Sequence, residues 1–243
     1  MNLDFSIVWH YVPHLLYATI FTILLACISQ ALGTFFGFLL ALGRIAPMPW
    51  LRGTVWVYVW IFRGTPVLLH LFFVYYAAPM FGVVLEAFPA AILAMTVSSS
   101  AYNCEIIRSG LQAVHHGQVE AAQAVGMTYP RVVWRIVLPQ AVKIVIPPFM
   151  GNFITHTKST SLASVITVPE LMLTAQMIYS STYRAIEILS AAGLIYLILT
   201  SCLNWLQLYL EKRLEFERRG LSSRRRRGLL LPPLHVSAQQ PGL

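Results

Sequence analysis

Charge is what this chain has least of. Only 11% of its 243 residues are Asp, Glu, Lys or Arg, against about 25% in an average soluble domain, while 57% are hydrophobic. That balance excludes an ordinary soluble fold and points to a membrane protein. Lysine is scarcer still: Lys143, Lys158 and Lys212 are the three, and none follows a glycine. No Gly-x-x-x-x-Gly-Lys-[Ser/Thr] loop is therefore present to cradle nucleotide phosphates. The cysteines Cys27, Cys104 and Cys202 lie in apolar runs without Cys-x-x-Cys spacing, so neither a disulfide framework nor a metal site is expected, and all three read as small buried hydrophobes. His115-His116 lacks a spaced third ligand, and no Gly-x-Ser-x-Gly elbow occurs. An enzyme acting alone is not expected, and the chain is expected to bind no cofactor or metal of its own.

The formal net charge of +8 raises nucleic acid as a partner, but eight of the 17 Lys and Arg lie between Lys212 and Arg227, after the last apolar run. A basic flank to a membrane helix is the commoner meaning of that placement, so membrane lipid is expected as a neighbour and nucleic acid is not.

A bilayer core of about 30 Å takes about 20 apolar residues per helix. Five such runs are predicted, at about 14–43, 53–77, 88–110, 140–165 and 186–210, giving an all-α membrane protein. The first run is too long for a signal-peptide core and has no early Lys or Arg, so it is expected to stay attached. It carries Gly33, Gly37 and Ala41 four residues apart, a small face on which a second helix can approach closely. The second run is interrupted by Arg63-Gly64-Thr65-Pro66, where a kink or local unwinding is expected. The third ends in Ser98-Ser99-Ser100-Ala101-Tyr102-Asn103-Cys104-Glu105, too polar to face lipid. The fourth holds Pro147-Pro148, expected to break it, then Asn152, Thr155, His156, Lys158 and Ser159. Residues 167–185 read as a polar connection, and 216–243 as a basic, disordered tail.

Thirteen of the 17 Lys and Arg fall on one side of these spans and Arg184 alone on the other, with Arg63, Lys143 and Lys158 within or beside spans. The positive-inside rule then puts the N-terminus outside and the C-terminus in the cytoplasm. The polar stretch 115–139 becomes cytoplasmic. Within it Gln118 to Val125 can form two helical turns, with Glu120 near the positive end of the helix dipole. Ala121, Ala122 and Ala124 add no bulk, and Gly126 suits a left-handed C-cap. Thr128 and Pro130 suit the start of a second helix. A short helix, a sharp turn and a helix anchored in the membrane would transmit a push from a partner's groove.

The pattern Glu120-Ala121-Ala122, Gly126, Ile136-Val137-Leu138-Pro139 resembles the EAA loop of permease subunits of bacterial ATP-binding-cassette importers. Phe62-Arg63-Gly64-Thr65-Pro66, Ala101-Tyr102 with Glu105 and Arg108, Leu138-Pro139-Gln140-Ala141, Thr160-Ser161-Leu162 and Val168-Pro169-Glu170-Leu171 resemble its polar amino acid branch, the histidine, glutamine and arginine permeases. The resemblance covers about residues 10–215. It implies a five-helix, MetI-like type I importer permease domain over 1–215, in the bacterial inner membrane. It also implies a second permease, identical or a sister, and a periplasmic solute-binding protein. Two cytoplasmic ATPase subunits would bind ATP and Mg, and Glu120, Ala121, Ala122, Gly126, Leu138 and Pro139 would form the coupling site.

The chain departs from that family at Ser159, where an acidic residue often stands, which argues against a strongly cationic solute; Ser98–Ser100 and Asn103-Cys104 also depart. Arg63, Tyr102, Glu105, Asn152, Lys158 and Ser159 are the candidate lining of the solute path. Each has a structural alternative: Arg63 pairs with Glu105, meets a solute carboxylate or fixes the broken helix; Glu105 meets an ammonium or pairs with Arg108. Two rival functions fit the composition, an ion-coupled secondary transporter and a membrane-anchored interaction protein. The first does not need a Glu-Ala-Ala helix, and the second has no reason to bury the polar groups of the third and fourth spans.

Overall fold

A computed structural model describes residues 4–228, with side chains described as far as residue 214. Its elements are helical because a backbone amide in hydrocarbon finds no water, and a helix satisfies it within one segment. The first helix, α1 (Ser6–Ile45), runs 40 residues, about 60 Å at 1.5 Å per residue. Next come α2 (Pro49–Gly64) and α3 (Val67–Phe72). A π-helical turn, Phe73–Ala77, and a 3-10 turn, Ala78–Phe81, extend α3 to the left-handed Gly82. The α2 axis is bent by 103° against the Val67–Phe81 segment. Pro66 causes the break: it has no N–H to donate and pushes the residue before it out of the helical region. Thr65 accordingly sits at φ −112°, ψ 146°.

The long helix α4 (Ala87–Gln112) lies along α1 in the same direction, with Gly33 against Ser99 and Gly37 against Asn103. A Cβ on Gly33 would stand 2.6 Å from that of Ser99, and one on Gly37 2.8 Å from that of Asn103. Glycine lets the two backbones close up, which is how small residues pack membrane helices. The small face anticipated on the first span is thus used within the chain.

After α4, α5 (His116–Ala124) and the one-turn α6 (Tyr129–Val132) lead through a π-helical turn, Val133–Val137, into α7 (Leu138–Ser159) and a 3-10 segment, Thr160–Ile166. Then α8 (Leu171–Thr182) precedes α9 (Ala185–Gly228). By length and composition α1, α4, Tyr129–Ile166 and Ala185–Leu214 can each cross a membrane, and the bent α2–α3 pair taken as one span makes five. Three apolar clusters hold the bundle. One, with Leu25, Leu71 and Met95, lies at the α1–α3–α4 junction, a second places Leu15, Leu171 and Ile188 under α8, and a third joins Ala41, Val55 and Cys104.

Four expectations are corrected. Pro147 and Pro148 lie inside α7 without breaking it; losing two N–H donors costs less than unwinding a span, which would leave more groups unpaired in lipid. The 167–185 connection contains α8, whose Leu171, Ala175 and Ile178 repeat at helical spacing and are buried. Cys104 is buried, but Cys27 and Cys202 are exposed, as apolar groups are free to be on a lipid-facing surface. Finally, α9 continues to Gly228, because Glu, Arg and Leu are good helix formers; residues 229–243 of the tail lie outside the described residues.

The seam predicts a contrast. Gly33→Ala should lower the thermal midpoint of the detergent-solubilised protein, through an overpacking cost of about 1–3 kcal/mol. Gly53→Ala, where an added Cβ meets nothing within 4 Å, should leave the midpoint unchanged or raise it. Equal shifts would mean that α1 and α4 do not meet at Gly33.

Candidate functional site

The loop from His115 to Pro139 stands at the end of the bundle where α4 finishes. His115 opens α5 by accepting a hydrogen bond from the Gly117 N–H, 3.2 Å, on its Nδ1. At the other end Gly126 takes φ 83°, its N–H bonds the Gln123 carbonyl at 2.9 Å and the Met127 N–H bonds the Ala122 carbonyl at 3.1 Å. This pair of bonds is a Schellman closure, built on a left-handed residue that glycine adopts without strain. Ala122 is turned inward, whereas Ala121, Ala124 and Val125 are exposed, Val125 by 78%. Glu120 is exposed and its Oε1 lies 3.1 Å from His116 Nδ1. Gln140 reaches back from α7 to Gln118, and Leu138 and Pro139 occupy the first turn of α7. The six residues that the sequence marks as candidates for coupling therefore lie in α5, in the turn that closes it and at the start of α7.

Inside the bundle the polar half of α4 is buried against α1 and α7. Ser99 donates to Gln30 Oε1 at 2.7 Å, and Thr34 donates to the Gln30 carbonyl at 2.6 Å. Asn103 donates to Thr34 and Ser99, each at 3.2 Å, and Asn152 of α7 donates to Asn103 Oδ1 at 3.1 Å. Of these five residues Asn152 alone stands among the candidate lining of the solute path, while Ser99 and Asn103 belong to the stretch read as too polar to face lipid. The others were legible as an i, i+4 pair, Ser99 and Asn103, and a second, Gln30 and Thr34, flanking the small residues of α1.

Arg63, Tyr102 and Glu105 meet at a recess of about 420 Å³ that Arg44, Trp56 and Trp60 complete. The Arg63 guanidinium carbon lies 5.2 Å from the centre of the Tyr102 ring, within reach of a cation–π attraction. Glu105 bonds to Arg44 at 3.3 Å and to Arg108 at 2.6 Å. Of the roles open to Glu105 the pairing with Arg108 is present, with Arg44 as a second partner. Lys158 and Ser159 do not line this recess: Lys158 is exposed, and Ser159 donates to the Thr155 carbonyl of its own helix at 3.0 Å.

Two further buried contacts join distant segments. Ser29 Oγ and His156 Nε2 lie 2.7 Å apart between α1 and α7. Glu170, fully buried, accepts from the Met172 and Leu173 N–H groups and from the Tyr196 hydroxyl, each at 2.8 Å. Burial holds its pKa above the ordinary carboxylate value, and these bonds to the carboxylate offset only part of that rise.

A membrane bundle that buries polar groups along its interior, and holds a short helix closed by a glycine turn at one end, has the construction of a transport permease. The chain belongs to the family described as binding-protein-dependent transport system inner membrane component, whose profile matches residues 33–216. It is 38% identical over 229 residues to the octopine transport system permease protein OccM of Rhizobium radiobacter, covering 90% of this chain and 94% of that one. It is 35% identical over 219 residues to the arginine transport system permease protein ArtQ of Bacillus subtilis, covering 88% and 99%. Among solved structures it matches an amino acid ABC transporter crystallised with histidines at a TM-score of 0.83 and 33% identity, over 88% of this chain and all of that one. The methionine transporter MetNI matches at 0.66 and 19% identity, over 87% and 99%, a likeness of fold. The chain is thus a multi-pass permease subunit of an ATP-binding-cassette importer with the type I fold, and is itself no enzyme. Family membership also sets aside both rival functions.

The shared carboxylate of Glu105 gives a test of this geometry. Glu105→Ala takes the shared carboxylate from two guanidinium groups, of which Arg108 keeps Gln112 as an acceptor, and should destabilise the protein by about 1.5–3 kcal/mol, the range for hydrogen bonds to charged groups. Arg44→Ala, which leaves the Arg108 pair intact, should cost less. Thermal unfolding in detergent orders the two, and the reverse order would contradict the pairing described.

Proposed function

We propose that this permease carries a polar amino acid or a related small solute, handed over by a periplasmic solute-binding protein, and that α5 is the coupling helix of the importer. In this reading the N-terminus lies outside and the C-terminus in the cytoplasm, in keeping with the distribution of Lys and Arg. Two permeases, identical or sisters, pair in the membrane above two ATPase subunits that bind ATP and Mg. ATP binding draws the ATPases together, α5 moves with the groove that holds it, and the path turns from inward-open to outward-open. Hydrolysis resets the cycle. Energy comes from the partner, and the permease contributes a bistable element that it biases.

The observation that carries the coupling role is the closure of α5: two backbone hydrogen bonds at Gly126 make the helix end stiff, and the bare Ala121 and Ala124 leave its outer face free of bulk. A stiff helix with a small-residue face fits a groove and transmits displacement. Glu120, Ala122, Leu138 and Pro139 support this element from both sides of the turn. For the solute path, the recess with Arg63, Tyr102 and Glu105 offers opposite charges and aromatic faces to a small zwitterion, with Asn152, Lys158 and Ser159 placed on α7. Relatives named for octopine, arginine, cystine and glutamine transport support the choice of solute class.

Purification in mild detergent should bring down an ATPase subunit, and uptake into cells of radiolabelled arginine, glutamine, cystine and octopine, each tried separately, should identify the solute. Uptake that persists after deletion of that ATPase would overturn the importer reading. Gly126→Val forces a β-branched residue into the left-handed region at a cost of about 1–3 kcal/mol. It should lower uptake severalfold while the protein stays in the membrane; normal transport by this variant would remove α5 from the coupling role.

A further inference from the structure

The orientation of the Asn103 amide follows from its neighbours. Thr34 Oγ1 spends its hydrogen on the Gln30 backbone carbonyl at 2.6 Å and is left able only to accept, and it faces Asn103 at 3.2 Å. The Asn103 nitrogen points at it, since a reversed amide would set oxygen against an oxygen without a hydrogen. The Asn103 Oδ1 is thereby aimed at α7, where Asn152 Nδ2 donates to it at 3.1 Å. Seven residues further along α4, and seven back along α7, Gly110 meets Val145 and Ala141 with no room for a side chain. Antiparallel α4 and α7 are therefore pinned at two points, by a hydrogen bond and by a glycine contact, while α4 is closed onto α1 at Gly33 and Gly37.

We infer that Asn103 is a positioning residue for transport: it fixes α7, which continues the coupling loop, to the α1–α4 pair, so that the three helices move as one body when α5 is displaced. This rests on the coupling role proposed for α5. Coupling between distant sites is carried by contiguous packed and hydrogen-bonded elements, and the Gln30–Ser99–Asn103–Asn152 chain is such a connection across three helices. The element that yields is the π-helical turn Val133–Val137 between α6 and α7, a helix irregularity of the kind that recurs at functional sites.

The test uses the whole importer, permease with its ATPase and solute-binding protein, in proteoliposomes, reading solute imported per ATP hydrolysed with a radiolabelled mixture of arginine, glutamine, cystine and octopine. Asn103→Leu should lower that ratio on the order of fivefold or more, the scale of an ordinary coupling energy, with the amount of assembled complex and its basal hydrolysis unchanged. In a protein with Cys27, Cys104 and Cys202 replaced by serine, Asn103→Cys with Asn152→Cys should lose coupling and regain it when a short bifunctional thiol reagent bridges the pair. An unchanged ratio in Asn103→Leu, a parallel fall of transport and hydrolysis, or arrest of transport on bridging would each overturn the inference. Absence of ATP-driven uptake by the unmodified complex would instead count against the proposed function.

Discussion

Gly33 and Gly37 let the backbones of α1 and α4 approach until a Cβ at either glycine would overlap the facing side chain, and the rest of the bundle depends on that closeness. In lipid there is no gain from hiding apolar surface, because the surroundings are apolar already; association relies on close packing and on polar groups with no other place to bond. Close approach supplies both. It brings Ser99 and Asn103 within reach of Gln30 and Thr34, so most of the groups that would be costly in hydrocarbon bond to one another, Gln30 Nε2 excepted.

The remaining charges obey the same constraint in other ways. Glu105 is shared between Arg44 and Arg108, and Glu170 is held by two backbone N–H groups and a tyrosine hydroxyl. Glu187 pairs with Arg184 and accepts from the Asp4 N–H. The carboxylates within the bundle are thus built into helix ends and helix contacts. The loop at 115–139 is the contrast: Glu120 there is exposed beside a still more exposed His116, in keeping with the coupling role proposed for α5.

Much of this was legible in the chain before folding. The apolar runs at about 14–43, 88–110 and 186–210 fall inside α1, α4 and α9, and Glu-Ala-Ala followed by a glycine at Gly126 marked the helix and left-handed turn that the structure contains. Pro66 marked the break between α2 and α3. Pro147 and Pro148 did not mark one in α7, because proline removes the same donors in either place and only the surroundings decide whether the helix yields. The α8 helix was obscured by polar residues on its outer face, though Leu171, Ala175 and Ile178 carried its period.

Composition and run length by themselves determined that the chain is a helical membrane protein, since these depend on local chemistry, and the likeness of the loop motif to that of importer permeases pointed to the family that the chain belongs to. Which polar groups meet was decided only by the tertiary structure. Asn103 is one of several polar residues in a row, and nothing in the row says that its nitrogen faces α1 and its oxygen faces α7. That follows from the direction of hydrogen bonds spent on residues 69 and 49 positions away in the chain, which exist as neighbours only once the helices have packed.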